Sequence, residues 1–200
     1  MKIKVTKRGV WIALGAILIV SVAIIAVFFF KGPEPITSIY YEGQIIQFRD
    51  DLRKADKIAV YPDETQIYLD TIHPLVKNVT IAFKDAGEDE NRYYILEEFE
   101  IVLKMRIAYN RLLKGYEGLS GEDIPTFNAV PVENYANLPG KIQNPIIALV
   151  PPKYANETAV RNEGHVTYIS GRTYRDFDLA TIKFLMIVLG IDMENIDIGN

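Results

Sequence analysis

The sequence predicts an α/β fold in which one N-terminal transmembrane helix is followed by a single three-layer α/β domain with a mostly parallel sheet. Residues 10–30 form a run of 21 residues without a charge, which predicts the helix. Beyond it, short apolar runs alternate with helix-forming segments, as in parallel sheets. Runs such as Ile146–Val150 are apolar at every position, which is typical of strands buried on both faces.

Length and composition limit the classes of protein that this chain can belong to. Of its 200 residues, the part beyond the anchor is about 169 residues long, the size of one domain. The apolar fraction of 49% and the charged fraction of 24% exclude a disordered chain. With no Cys and two His, disulfides, thiol nucleophiles and zinc ribbons are excluded, and neither a metal site nor a cofactor is predicted.

The charges around the apolar run predict the orientation of the chain. Four basic residues precede it, whereas Lys31 is the only base between it and Arg49. The positive-inside rule therefore predicts a cytoplasmic N-terminus and a domain on the outer side of the cell membrane. The predicted organisation is a cytoplasmic segment (1–9), a transmembrane helix (10–30), a stalk (31–38), an extracytoplasmic domain (39–191) and a polar tail (192–200).

The same N-terminus resembles the class III signal of archaeal type IV pilin-like proteins. The resemblance rests on Lys7-Arg8-Gly9 directly followed by an apolar helix. It implies cleavage after Gly9 and a structural subunit of a pilus. Basic residues before an ordinary anchor produce the same pattern, so this interpretation remains an alternative.

The first half of the domain contains three predicted strands and three predicted helices. The strands are placed at 39–48, 58–61 and 79–83, and the helices at 49–57, 64–76 and 91–114. Asp63 has the residue type and position of an N-cap for the second helix. In the third helix, the apolar residues Ile95, Phe99, Val102, Tyr109 and Leu113 are expected to form the packing face.

The second half begins with a loop over 115–144, rich in Gly and Pro, which holds one short strand at 127–132. Strands are predicted at Ile146–Val150 and 166–169, and their close spacing leaves an antiparallel pair within 145–170 as an alternative to parallel pairing. The last helix is expected to begin at Thr173 and end at Gly190. Because its sequence is apolar nearly all round, it should be deeply buried.

Charge and sequence motifs restrict the partners of the domain. All 26 acidic residues but only 17 of the 22 basic ones lie beyond residue 31, so the outer part carries a net charge of −9. Such a domain is unsuited to bind nucleic acid. Asn78 and Asn156 begin N-x-Thr sequons and are candidate glycosylation sites.

Ligands of open α/β sheets bind beyond the carboxyl ends of the strands. The polar residues that follow predicted strands here are Asp63 and Glu64, Lys84 and Asp85, Lys153 and Tyr154, and Ser170 with Arg172 and Thr173. Asp63, Asp85 and Arg172 are the candidate catalytic residues, because paired acids beside an Arg can act as acid and base. Asp63 is equally well explained as a helix cap.

A second candidate site is the segment between the last predicted strand and the last helix. Ser170, Gly171, Arg172 and Thr173 offer backbone N–H groups and a guanidinium to a bound anion. The spaced glycines and the Lys of a nucleotide-binding P-loop are missing.

Residues 151–185 resemble the α/β modules of archaeal surface-layer and other envelope proteins. The residues that carry the resemblance are Pro151-Pro152-Lys153-Tyr154-Ala155-Asn156, the strand that ends in Ser170-Gly171-Arg172-Thr173, and Asp178-Leu179-Ala180. The resemblance covers about a sixth of the chain and implies an archaeal-type envelope protein. It identifies no site residue.

These observations predict a single-pass envelope protein whose outer domain binds a partner protein or a small ligand without catalysis. An anchored hydrolase with a carboxylate site at the strand ends is the first alternative, and the pilin-like subunit is the second. Convergence of Asp63, Asp85 and Arg172 in one cleft would favour the hydrolase.

Overall fold

The computed structural model describes residues 37–41, 43–116, 119 and 121–193, and only the backbone of 89 and 90. The predicted cytoplasmic segment, the transmembrane helix, most of the stalk and the end of the polar tail lie outside these residues. Within the described part, no helix is both long and apolar enough to cross a bilayer.

The described residues form an α/β domain with a mixed, mostly parallel sheet, which confirms the predicted fold class at this level. The strands are β1 (Thr37–Tyr41), β2 (Gln44–Phe48), β3 (Ala59–Tyr61), β4 (Asn78–Phe83), β5 (Thr126–Pro131), β6 (Ile146–Val150), β7 (Ala159–Glu163) and β8 (Val166–Ser170). The helices are α1 (Leu52–Ala55), α2 (Glu64–Thr71), α3 (Glu88–Lys114) and α4 (Tyr174–Leu189), and Gly121–Asp123 form a 3-10 turn.

A small hairpin opens the described domain where the sequence predicted one long strand. β1 and β2 pair antiparallel, and Gly43 between them has a φ of 83°, which a side-chain-bearing residue rarely adopts. β1 begins at Thr37, inside the segment assigned to the stalk. The following helix is also shorter than predicted, since α1 contains four residues and begins after the N-cap Asp51.

The main sheet has six strands in the order β3-β7-β8-β6-β4-β5. β8, β6, β4 and β5 are mutually parallel, whereas β7 pairs antiparallel with β8 and parallel with β3. β3 and β7 therefore run opposite to the other four strands. The antiparallel pair anticipated between 145 and 170 is β7 with β8, while β6 and β8 are parallel.

Strand β7 was missed in the sequence because it is not apolar along its length. Its sequence is Ala-Val-Arg-Asn-Glu, yet Ala159, Val160 and Asn162 are buried. The amide of Asn162 donates to Asp70 (2.6 Å) and accepts from Thr167 (3.0 Å), so its burial leaves no polar group unsatisfied. These partners are distant in sequence, and no local pattern reveals them.

Helix α2 begins as predicted and ends earlier. The Asp63 side chain accepts from the backbone N–H of Gln66 (2.8 Å), which confirms it as the N-cap. The helix stops at Thr71, before His73-Pro74, because a residue that precedes Pro avoids helical geometry. Ile67 is fully buried, whereas Leu69 is 52% exposed, so only one side of the helix packs against the core.

Helix α4 is the central packing element, as predicted. Thr173 caps its start by accepting from the N–H of Asp176 (3.1 Å), and Gly190 ends it with a φ of 68°. Every residue from Leu179 to Leu189 is buried. The helix packs against α3, α1 and α2 and against strands β7 and β8.

Helix α3 buries only part of the face that the sequence predicted. Tyr109 and Leu113 are buried, but Ile95 and Phe99 are 65% and 64% exposed. Two charged residues, Glu97 and Lys104, are buried in their place. Glu97 pairs with Arg49, which is distant in sequence, and Lys104 pairs with Glu100 on the helix itself. The apolar pattern of the helix contains neither pair.

The described helices cover one face of the main sheet only. Ile147 and Leu149 of β6 belong to the large core with the four helices, whereas Ile146 and Ala148 point to the other face. That second face is covered by loop residues between 132 and 138. The described domain thus has two layers and a loop cover instead of three layers, because so small an apolar patch needs no helix to exclude water.

Candidate functional site

The direction of β3 separates the three candidate catalytic residues. Asp85 follows β4 and Arg172 follows β8, and these strands end at the same edge of the sheet. β3 runs the opposite way, so Asp63 lies at the other edge. β6 lies between β4 and β8, which spaces their ends by about 10 Å. Asp63 therefore does not meet Asp85 or Arg172.

Asp85 is held in the loop before α3. Its carboxylate accepts from the N–H of Gly87 (3.1 Å) and from the side-chain amide of Asn91 (2.9 Å). The hydrogen bond from Asn91 is the main cause that lowers the pKa of Asp85. The carboxyl group is fully exposed, and it is ionised at neutral pH.

The segment proposed to bind an anion is a rigid connection. Ser170 Oγ donates to the carbonyl of Ala159 (3.1 Å), and the N–H of Arg172 donates to Thr158 Oγ1 (3.1 Å). Gly171 is buried against the start of α4, where a Cβ would lie 2.1 Å from the backbone nitrogen of Phe177. Thr173 is already occupied as the helix cap.

Two of these residues line an open depression of about 450 Å³, named here the Arg172 depression. Its walls are Asn156, Glu157, Thr158, Arg172, Thr173 and Asp176. Two acids thus lie beside the guanidinium, so the surface has mixed charge. This mixture suits a neutral polar ligand better than a phosphate.

A second depression of about 260 Å³ shares Asn156 and Glu157 with the first. It lies on the loop-covered face, along β7 and β8 and beside the end of β6, and is named here the tyrosine depression. Its side chains are Tyr135, Val150, Tyr154, Ala155, Asn156, Glu157, Arg161, Glu163, Tyr168 and Ser170. Together the two depressions have the volume of a small-molecule site, typically about 300–1,000 Å³.

The three tyrosine rings of this depression are fixed by their hydroxyl groups. Tyr135 Oη donates to the carbonyl of Leu149, Tyr154 Oη to that of Asp85, and Tyr168 Oη to that of Tyr135. Burial is the main cause that raises the pKa of Tyr135 and of Tyr168, so both phenols remain neutral. Rigid rings whose polar ends are already bonded present mainly apolar surface to a ligand.

Cations complete the wall around Tyr154. The Lys84 ammonium lies 4.6 Å from the centre of the Tyr154 ring, and that of Lys153 lies 5.6 Å from it. Lys153 also donates to the carbonyl of Ala86 (2.8 Å). The sequence placed Lys84, Lys153 and Tyr154 at strand ends, but it gave no signal for Tyr135, which lies in a loop.

The alternation of side chains along β8 is the sequence signal that predicts on which face of the sheet Tyr168 lies. Val166, Tyr168 and Ser170 alternate with buried Thr167 and Ile169, so they share the loop-covered face. Arg161 stands opposite Tyr168 in the register of β7 and β8. It could not be placed there without knowledge of β7.

The two sequon asparagines are both exposed. Asn78 begins β4, and its side-chain oxygen accepts from Thr126 Oγ1 of β5. Asn156 lies between the Arg172 depression and the tyrosine depression and lines both. A glycan on Asn156 would therefore stand at the mouth of the candidate site.

A further depression, about 530 Å³, lies where α2 meets the end of α4. Its acids Asp56 and Glu64 accept from the buried ammonium of Lys183 at 2.8 and 2.7 Å. Asp56 and Glu64 stabilise the buried charge of Lys183 on α4, so the role of these two acids is structural.

A buried ion cluster lies beneath α3 and α4. Arg49 Nη2 contacts Glu97 Oε1 at 2.6 Å and Asp178 Oδ1 at 3.0 Å, and Glu97 is 2% exposed. Burial, countered by Arg49 and reinforced by Asp178, raises the pKa of Glu97 to about 7. Burial also raises the pKa of Asp178 and lowers that of Lys104 to about 8. The space around the cluster, about 10 Å³, admits no substrate, so its role is structural.

Glu97→Gln is expected to weaken the pH dependence of stability. The folded domain keeps a proton on Glu97 up to about pH 7, whereas the unfolded chain releases it near its ordinary pKa of 4.5. The folded state therefore binds more protons between these values, and the free energy of unfolding falls as pH rises through this window, by about 1–3 kcal/mol.

Urea denaturation at pH 5 and at pH 7.5 gives the free energy of unfolding of the domain at each pH, and the difference between the two values is the quantity compared. Glu97→Gln should reduce it, while the exposed control Glu163→Gln should leave it as in the wild type. Some difference should persist in Glu97→Gln because the pKa of Asp178 is also raised. An undiminished difference in Glu97→Gln would show that Glu97 is already ionised in the folded domain.

No group of three or more metal-binding side chains occurs among the residues that the structure describes. No protein-family model, curated protein or solved structure matches this chain.

Proposed function

We propose that this chain is a single-pass membrane-anchored envelope protein whose extracytoplasmic α/β domain binds a small polar ligand without catalysis. The observation that carries the proposal is the tyrosine depression, with its three fixed rings beside Arg161 and the Arg172 depression. Fixed aromatic walls with a few polar groups are typical of small-molecule sites.

The chemistry of these walls suits a sugar-like ligand. Ring faces accommodate the C–H groups of a sugar, and carboxylate, guanidinium and amide groups exchange hydrogen bonds with its hydroxyls. Glu157, Arg161, Glu163 and Asn156 supply those groups at the same depression. Because the rings are already ordered, binding costs little side-chain entropy.

The positions of the acids support binding over hydrolysis. A hydrolase of the predicted kind needs Asp63, Asp85 and Arg172 at one substrate, and the reversed β3 places Asp63 at the far edge. Asp85 is fully exposed with a lowered pKa, so it is a poor proton donor at neutral pH. A partner protein that presents a polar side chain or a glycan would use the same depression.

The anchor and the outer location rest on the sequence. Residues 10–30 are long enough, at about 1.5 Å per residue, to span ~30 Å of hydrocarbon as a helix. The basic residues Lys2, Lys4, Lys7 and Arg8 precede this run, and the positive-inside rule supports an outer domain.

Tyr168→Ala is expected to weaken sugar binding by about tenfold or more, equivalent to the loss of ~1.4 kcal/mol. The alanine removes a ring face from the depression. Tyr168→Phe keeps the ring and loses only the hydrogen bond to the carbonyl of Tyr135, so it should bind nearly as well. Saturation-transfer NMR with a panel of neutral and acidic mono- and disaccharides measures the effect.

Tyr116→Ala is the matched control, because Tyr116 is 47% exposed and does not line the depression. Circular dichroism of all three variants checks that the domain remains folded. The proposal fails if no sugar of the panel binds, or if Tyr168→Ala binds as tightly as Tyr116→Ala.

A further inference from the structure

Helix α3 has an outer apolar face that the ligand site does not use. Ile95, Leu96, Phe99 and Leu103 are between 48% and 65% exposed. Their spacing of three and four residues places them on one side of the helix, opposite buried Ile101. Contiguous exposed apolar side chains of this kind mark an interaction surface.

The apolar surface continues onto the β1–β2 hairpin. Tyr40 and Ile45 face each other in the register of the hairpin and are 79% and 68% exposed. Ile45 and Leu103 line the same shallow depression of about 320 Å³, which joins the hairpin to α3. Six large apolar side chains from two elements thus form one outer surface, named here the α3–hairpin face.

The chain length restricts what can cover this face. The proposed transmembrane run ends at Phe30, and β1 begins at Thr37. Seven residues span at most about 24 Å when fully extended. The start of the hairpin can therefore lie no farther than this from the end of the proposed run, so a bilayer that holds the run is within reach of the hairpin and of the α3 surface that adjoins it.

The flanking charges favour lipid over a second copy of the chain. Exposed Arg92 and Arg106 lie seven residues before and after Phe99, on the same side of α3. In an antiparallel pair of α3 helices centred on Phe99, Arg92 of one copy would meet Arg106 of the other, and like charges oppose such pairing. Lipid phosphates would accept both guanidinium groups.

Two acidic residues, Glu98 and Glu100, lie at the sides of the exposed apolar residues of α3. Glu100 pairs with Lys104, which lies over the Phe48 ring. Glu98 is half-buried beside the face, and burial raises its pKa. Glu88 is also exposed on this side of α3, four residues before Arg92, so the N-terminal end of the stripe carries both charges and Arg106 makes its C-terminal end basic. An apolar stripe flanked by arginines is typical of helices that lie in a membrane interface.

We propose that the α3–hairpin face rests on the bilayer that holds the anchor, with Ile95, Leu96, Phe99 and Leu103 in the interface and Arg92 and Arg106 at the phosphates. This inference depends on the proposed anchor. Since the helices cover one face of the sheet and the tyrosine depression lies on the other, the depression then opens away from the membrane.

Single-cysteine labelling of the full-length chain tests this orientation, because the natural sequence has no Cys. Leu96→Cys and Phe99→Cys are labelled separately with bimane and reconstituted into phosphocholine vesicles with brominated acyl chains. Each label should lose about half of its fluorescence relative to unbrominated vesicles, since interfacial helices place their apolar face ~5–10 Å into the headgroup boundary.

Two further labels distinguish the outcomes. Glu163→Cys, on the exposed end of β7, should show no quenching, and Ile19→Cys in the proposed anchor should be strongly quenched. Quenching at Ile19 without quenching at Leu96 and Phe99 overturns the inference and leaves the anchor standing. An unquenched Ile19 label overturns the anchor itself. A third outcome is that the fluorescence of the α3 labels changes as the amount of protein per vesicle rises but is the same in brominated and unbrominated lipid. This result would assign the face to contact with a second copy of the chain and would overturn the inference.

Discussion

Gly171→Ala is expected to unfold the domain or to destabilise it severely. An alanine Cβ would lie 2.1 Å from the backbone nitrogen of Phe177 and 2.3 Å from its Cα. Overpacking against flexible side chains costs ~1–3 kcal/mol, and here the obstacle is the backbone of α4 itself. Domains of this size are stable by only ~5–15 kcal/mol, so displacement of the central helix removes much of that stability.

Gly121→Ala is the matched control for this substitution. No atom lies within 4 Å of the position that its Cβ would take, and its φ is not positive. Thermal denaturation of the domain, residues 36–200, should give a midpoint near that of the wild type for Gly121→Ala. A Gly171→Ala midpoint equally near the wild type would show that β8 and α4 can separate without loss of the core.

Leu185→Ala is expected to destabilise the domain by ~2–5 kcal/mol, the usual range for a buried leucine. Leu185 is 1% exposed, in the middle of α4, and it borders the small space beside Glu97 and Asp178. A rigid helix packed on all sides cannot close the cavity that the shortened side chain leaves, so the packing loss adds to the loss of apolar burial.

Leu69→Ala serves as the control because Leu69 is also helical but 52% exposed. Urea denaturation should give a clearly lower midpoint for Leu185→Ala than for the wild type. The midpoint of Leu69→Ala should lie within a few tenths molar of the wild-type midpoint, because the free energy of unfolding changes linearly with urea concentration. If Leu185→Ala has the same midpoint as the wild type, α4 lies at the margin of the core and not at its centre.

The elements that could be predicted from the sequence are those whose signals are local. Asp63 and Thr173 cap the helices that follow them, and Gly190 ends α4, because capping is decided within a few residues. β7 could not be recognised, since the burial of Asn162 depends on Asp70, 92 residues away.

Helix α3 shows why an apolar pattern does not determine which side of a helix faces inward. The helix carries apolar residues on two sides, and the predicted stripe mixed them. Arg49, far earlier in the chain, pairs with Glu97 and allows that acid to be buried. The apolar residues Ile95 and Phe99 are left outside as a result.

The candidate site was predictable only as an edge of the sheet. Lys84, Tyr154 and Arg172 were correctly placed after their strands because each follows an apolar run. The grouping of Asp63 with Asp85 assumed that all strands run in one direction, and the antiparallel β7 reverses β3. Which residues share an edge is a property of pairing, which no single run of sequence contains.

The two outermost strands of the sheet have a consequence for copies of this protein held by the proposed anchor. Such an anchor would confine the copies to two dimensions and raise their local concentration, a condition in which open strand edges tend to join sheet to sheet. β3 has only three residues and is followed by Pro62, and β5 is bounded by Pro125 and Pro131, which lack an N–H to donate. These features hinder neighbouring copies from pairing their sheets edge to edge.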